Sequence, residues 1–411
     1  MSKFLSNGSR FAFKRSASPV AYCAIHIKTG TRNEPKGCGG LAHFTEHLLF
    51  KGTHHRSASV INSRLERLGG ELNAYTTKEE TVIHATILKE DFNVAVSLLV
   101  ELAYSSVFPL KELEKERGVV IEEIKSYKDS PAELIYDEFE DMIFAGTDLS
   151  NPVLGTASSV KKITREDVVG YYNSNFVSEN MVFTVVADIP CERAVAVIER
   201  EISKFAPKSG ELEFRSDDIS IPEPLPMAPS FSKVLTKRSH QAHCIIGARG
   251  YSFYSPRRIP LILLVNYLGG PAANAKLNLL LREKYGLVYN VEVSYAQYRD
   301  AGAVTVYFGC DKSNVERCEE LILKEIRTLR ENLLSDRVLN QARKQLLGQL
   351  AISSDNAEAQ LLSMGKSEMV FGEVIEMEQT RSMLESVTAE DVMMVANEIF
   401  AEDKLSKLYY L

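Results

Sequence analysis

Two stretches of this chain, one in each half, run through the same order of elements, and that repetition constrains the fold more than any other feature. Residues 21–28 (Ala-Tyr-Cys-Ala-Ile-His-Ile-Lys) and 243–249 (His-Cys-Ile-Ile-Gly-Ala-Arg) are strand-like, and each leads through a turn into a helical segment. Each half then carries a late helix, Thr164-Arg-Glu-Asp-Val-Val-Gly-Tyr-Tyr172 and Thr388-Ala-Glu-Asp-Val-Met-Met-Val-Ala396. Both open with Thr at the N-cap and acidic residues in the first turn. Between the halves, residues 208–230 turn polar and then proline-rich, the composition of an extended, stiff linker. At 411 residues the chain is too long for one ordinary core. The expected fold is α+β: two homologous, sandwich-like domains, each an antiparallel sheet with helices, related by internal duplication. Their expected limits are 1–207 and 231–411, with the linker at 208–230.

The halves differ in one helix. In the first half it reads Leu41-Ala-His-Phe-Thr-Glu-His-Leu-Leu49; its counterpart, 259–270, holds no metal ligands. Residues four apart lie on one helix face, so His43 and His47 can hold one metal ion together. Glu46 lies beside them, within reach of a water polarised by that ion. This is the H-E-x-x-H layout of zinc peptidases in reversed order, H-x-x-E-H. Zinc in such a site activates a water, and the nearby carboxylate takes its proton. Leu41, Ala42, Phe44, Leu48 and Leu49 bury the other faces. Polar groups inside so apolar a helix need a partner, and a metal is the simplest one. Gly37-Cys38-Gly39-Gly40 reads as a flexible lead-in.

A catalytic zinc usually has three protein ligands. The best source of the third is Glu112-Leu-Glu-Lys-Glu-Arg-Gly-Val-Val-Ile-Glu-Glu-Ile-Lys125, a helix with an acidic face. Glu116 and Glu123 are seven residues apart and project to one side, while Glu122 points about 100° away from Glu123. Spacing alone does not choose between Glu122 and Glu123.

With these residues the chain resembles the M16 (pitrilysin or insulinase-like, inverzincin) metallopeptidases, in particular the short two-domain type to which mitochondrial processing peptidase subunits belong. The resemblance rests on His43-x-x-Glu46-His47 and a glutamate 76 residues after His47. It extends through Ile27-Lys-Thr-Gly-Thr-Arg-Asn-Glu34, Gly69-Gly-Glu-Leu-Asn-Ala-Tyr-Thr76, Asn151-Pro-Val-Leu-Gly-Thr156, Asn180-Met-Val-Phe-Thr-Val-Val186 and Leu281-Arg-Glu-Lys-Tyr-Gly-Leu-Val-Tyr289. It implies the ligand set His43, His47 and Glu123 for one zinc ion per chain. Glu46 becomes the general base, and Glu116 an acidic residue orienting the site from behind. It also implies that Arg282 and Tyr289 grip substrate near the scissile carbonyl, Tyr289 as a donor to the oxyanion. In that family two pairs of domains close on each other, so a chain holding both parts implies a homodimer with composite active sites. Residues 71–76 alternate after a Gly-Gly turn and suit an edge strand that accepts a peptide backbone, with Asn73 and Ala74 at the substrate. The family's mitochondrial subunits carry a long glycine-rich loop where this chain has only Leu268-Gly-Gly-Pro-Ala-Ala-Asn274. The expected activity is therefore general degradation of short or unfolded peptides.

Two other classes compete with this reading. A non-catalytic M16 scaffold or assembly subunit would carry a degraded motif, whereas every element is intact here. A purely structural zinc site would need a fourth ligand, for which only Cys38 is near in sequence. The net charge of −7 and the lack of a basic block argue against nucleic acid. No run suits a signal peptide or a membrane span. Six cysteines without a C-x-x-C pair read as reduced thiols, so the expected compartment is the cytoplasm.

Overall fold

The computed structural model describes residues 2–205, 221–237 and 239–411, so most of the 208–230 segment lies outside the described residues. The chain divides into two compact units.

The first unit is built on a six-stranded sheet of β1 (Ser2–Phe4), β2 (Arg10–Arg15), β3 (Val20–Ile27), β4 (Glu71–Thr76), β5 (Thr81–Leu88) and β6 (Met181–Ala187), in the order β1-β2-β6-β3-β5-β4. All pairs are antiparallel except β2 with β6. The central strands are rich in β-branched residues and buried; β6, Met-Val-Phe-Thr-Val-Val-Ala, is buried at every position. Among the described residues β4 pairs only with β5, from Glu71↔Thr86 to Thr76↔Thr81, and forms one edge. On one face lie α1 (Leu41–Leu49), α2 (Ala58–Glu66), α3 (Phe92–Ser105) and α4 (Leu110–Lys128), sealing a core that includes Ile25, Phe44, Leu48, Ile83, Phe92 and Leu99.

A sheet whose strands are apolar on both sides must bury both. The second face, with Ala12, Ala24, Val82 and Val186, is covered by Leu361 and Met364 of the helix Ala357–Phe371. The first unit thus comprises Met1–Ser126, Asn151–Ile219 and Ile352–Ile375.

The second unit comprises Tyr127–Ser150, Ser220–Ala351 and Glu376–Leu411. Its sheet contains β7 (Ser232–Leu235), β8 (Ala242–Gly250), β9 (Val288–Gln297), β10 (Gly302–Cys310) and β11 (Ser406–Tyr410), in the order β7-β11-β8-β10-β9. Here Ile135 and Phe139 of α5 (Pro131–Ile143) pack with Ile245, Ala303 and Leu408. The limits 1–207 and 231–411 follow the order of the repeat along the chain. The compact units depart from them at two helices, each contributed by the opposite half.

The late helices begin as read from sequence. The Thr164 hydroxyl accepts from the N–H of Asp167, and that of Thr388 from the N–H of Asp391.

Candidate metal centre

α1 carries most of the chemistry, and its start is unusually constrained. The residue before it, Gly40, sits at φ 88°, and a Cβ there would lie 2.7 Å from the Leu154 carbonyl oxygen. Gly155, at φ 65°, presses on Gly39 so closely that its Cβ would meet the Gly39 carbonyl oxygen at 2.3 Å. The Ser159 hydroxyl donates to that same oxygen at 2.6 Å. The glycine lead-in is therefore clamped rather than flexible, which explains why the Asn151–Thr156 segment matters to a helix over a hundred residues away.

Glycine at the N-cap offers no side-chain acceptor, so the first N–H groups of α1 need another. Glu34 supplies it: Oε2 accepts from Gly40 N at 3.2 Å and Oε1 from Ala42 N at 2.9 Å. Burial pushes this carboxyl up to about 8, against the opposing pull of the backbone donors.

On the inner face of α1, His43 and His47 lie with ring centroids 4.6 Å apart. Glu123 reaches them from α4, its Oε1 3.6 Å from His43 Nε2 and its Oε2 3.4 Å from His47 Nε2. One ligand atom from each of the three residues falls within 4.8 Å of the others, the only such convergence of His, Cys, Asp or Glu among the described residues. Two neutral imidazoles and one carboxylate suit a zinc ion. Burial, and then the neighbouring His47, push His43 down to about 4, so it stays neutral, the form that binds metal. The two glutamates that spacing could not separate point different ways: Glu123 faces the histidines, whereas Glu122 turns to solvent and pairs with Lys125 at 2.7 Å.

Glu46 is buried, and its Oε2 has no hydrogen-bond partner among the described residues. Burial lifts its pKa, with a smaller push from Glu123, while the Thr76 hydroxyl and His47 pull it back. A base moved up in this way is better matched to neutral pH. Behind the histidines, Glu116 Oε2 lies 3.3 Å from His47 Nδ1, and Lys51 Nζ lies 2.8 Å from Glu116 Oε1. Glu46, His47, Lys51 and Glu116 open into a cleft of about 540 Å³ whose other side is Gly70–Ala74 of the edge strand.

Two family profiles match the chain, "Insulinase (Peptidase family M16)" over residues 10–157 and "Peptidase M16 inactive domain" over residues 162–346. It is 30% identical over 385 residues to an uncharacterized zinc protease of Streptomyces coelicolor, covering 91% of this chain and 81% of that protein. The chain belongs to the M16 peptidase family. An uncharacterized zinc protease of Bacillus subtilis is 29% identical over 97% of this chain and 95% of its own length. Among solved structures, a protease from Helicobacter pylori superposes with a TM-score of 0.90 at 19% identity, covering 100% of this chain and 98% of that one. An M16 inactive-domain protein from Pseudomonas fluorescens reaches 0.88 at 19%, covering 100% of this chain and 97% of its own. Both likenesses show the same two-domain M16 fold.

The remaining residues implied by the M16 resemblance fall in two places. Asn73 and Ala74 lie on β4 at the cleft. Alternation along β4 sends Leu72 into the core under α1 and Tyr75 into the cluster beneath the Ala357–Phe371 helix. Asn73 shares the strand face of Tyr75 and pairs in register with His84. In the second unit, Arg282 is exposed on a π-helix, Asn278–Lys284, with no hydrogen bond or ion pair to its guanidinium among the described residues. Tyr289 is 57% exposed, and its hydroxyl donates to Asp311 Oδ1 at 2.9 Å. Cys38 is partly buried and packs against the first core. Sequence reading missed Glu34, Thr76 and Lys51; only the placement of Lys51 four residues after His47 signalled any of them.

Proposed function

We propose that this chain is a zinc-dependent endopeptidase acting on unfolded or short peptides. The observation that carries the proposal is the convergence of His43, His47 and Glu123 beside the free, buried oxygen of Glu46, in a cleft bordered by an unpaired strand edge. His43, His47 and Glu123 would hold one zinc ion, which when bound supplies Lewis acidity to the scissile carbonyl and lowers the pKa of water. Glu46 Oε2 accepts the proton of the attacking water and passes it to the leaving amine. β4 pairs with the peptide backbone, which gives affinity with little sequence preference and holds the scissile bond against the cleft. Glu116 fixes the ring of His47 from behind.

Arg282 and Tyr289 serve substrate in a homodimer, each chain completing its partner's site and closing a chamber too small for folded proteins. The free guanidinium of Arg282 supports this role. Tyr289 must release Asp311 before its proton is available to an oxyanion. No described helix is long and apolar enough to cross a membrane. The six unpaired cysteines support a reducing, cytoplasmic location.

The test is cleavage of a quenched fluorescent peptide by chelator-treated and then zinc-restored protein, with Glu46→Gln alongside. The expected result is zinc-dependent cleavage, with the variant retaining zinc and losing turnover by about a hundredfold or more. Wild-type turnover by Glu46→Gln refutes the assignment of the base. A folded, zinc-loaded chain that cleaves nothing, alone or as a dimer, favours a non-catalytic M16 scaffold.

A further inference from the structure

We propose that Lys51 is a positioning residue of the metal centre, holding Glu116 in the orientation that fixes His47. The inference rests on the zinc site proposed above. Lys51 follows His47 by four residues, just past the end of α1 at Phe50, with its N–H returning to the Leu48 carbonyl. Its side chain therefore leaves on the His47 side and reaches Glu116 on α4, Nζ to Oε1 at 2.8 Å.

Charge and asymmetry give this contact its meaning. The cleft is lined by four carboxylates, Glu46, Glu66, Glu71 and Glu116, and Lys51 is the one lysine or arginine among the lining residues. Glu116 is 8% exposed, and a carboxylate that deeply placed needs a counter-charge. With Oε1 engaged by Lys51, Glu116 offers Oε2 to the Nδ1–H of His47 at 3.3 Å. That bond sets the tautomer and leaves Nε2 bare on the side facing Glu123. His43 has no such support from behind: its Nδ1 is buried without a partner among the described residues. Lys51–Glu116–His47 is thus the chain of contacts that sets a ligand's direction. Without Lys51, Glu116 is freed to turn toward the ion as a competing ligand or away from His47 altogether.

The experiment is a zinc competition titration of the full-length protein against a chromophoric chelator, with steady-state kinetics and thermal melts of the zinc-free protein. Lys51→Met weakens zinc binding by about tenfold, the range for loss of an outer-shell partner. It also lowers kcat of the zinc-loaded protein at unchanged KM, and Lys51→Arg restores most of the affinity. Placed on Glu116→Gln, Lys51→Met adds no further loss, because both act through one path. Unchanged zinc affinity with a raised KM overturns the proposal in favour of substrate contact. Unchanged affinity with a lower melting temperature overturns it in favour of simple packing. The zinc titration decides the matter even if the wild-type protein cleaves no peptide, so failure of the peptidase reading remains a separate result.

Discussion

Gly365→Ala tests whether the helix Ala357–Phe371 belongs to the first unit. An alanine Cβ at this position would lie 2.0 Å from His26 Nε2, 2.2 Å from Cδ2 and 2.3 Å from Cε1. The His26 ring is fully buried in β3, and its Nε2 is 3.2 Å from the Thr184 hydroxyl. To make room the ring must retreat by more than an ångström, which breaks that hydrogen bond. Overpacking costs about 1–3 kcal/mol and the bond about 1 kcal/mol, against about 1 kcal/mol gained from replacing a helical glycine. The net is a destabilisation of about 2 kcal/mol, or roughly 4–8 °C in Tm for a unit of this size. Gly170→Ala is the control: it lies in the helix Arg165–Asn175 of the same unit, with nothing within 4 Å of its Cβ, and should stabilise by about 1 kcal/mol. Urea and thermal denaturation of the two zinc-free variants must therefore move in opposite directions. If Gly365→Ala is as stable as Gly170→Ala, the helix does not lie on that face of the sheet.

Two further predictions address groups that sequence does not flag. Burial pushes His26 down to about 3, so the folded chain refuses a proton that the unfolded chain takes below about 6.5. Its contribution to stability is complete above pH 6.5 and falls by about 1.4 kcal/mol per pH unit from there to about pH 3. Imidazole NMR should show His26 still neutral at pH 5, and a midpoint above 5 contradicts the burial. Glu34→Ala leaves the N–H groups of Gly40 and Ala42 without their acceptor. A loss of about 1–2 kcal/mol is expected, read as a lower Tm together with weaker zinc binding; an unchanged Tm rules out the capping role.

Local periodicity carried the elements well. The strand at 21–28, the helix over 41–49, the acidic helix over 112–125 and the capped helices after Thr164 and Thr388 all stand where their patterns put them. His43, Glu46 and His47 were legible for the same reason, since helical spacing by itself puts them together. What spacing left undecided depended on direction in space. Glu122 and Glu123 are equally good by composition, and only the packing of α4 against α1 turns one inward. Asn73 and Ala74 stand on the strand that borders the cleft, because the alternation after Gly69-Gly70 marks that strand locally. The exchange of α5 and Ala357–Phe371 was invisible for a deeper reason: an apolar helix stripe declares that it needs a sheet, and nothing in it says which.

That exchange bears on how the protein is made. As the chain leaves the ribosome, β6 completes the six-stranded order with Ala187, yet the face bearing Ala24, Val82 and Val186 stays bare. Its cover, Leu361 and Met364, is synthesised more than 170 residues later. The second sheet waits for nothing of the kind, since α5 has already been made when β8 emerges. The half that bears the proposed metal ligands is thus translated first but covered only after most of the second half has been made, so a chain truncated before residue 357 would carry every proposed zinc ligand in a unit whose sheet has one side still open to association with other proteins.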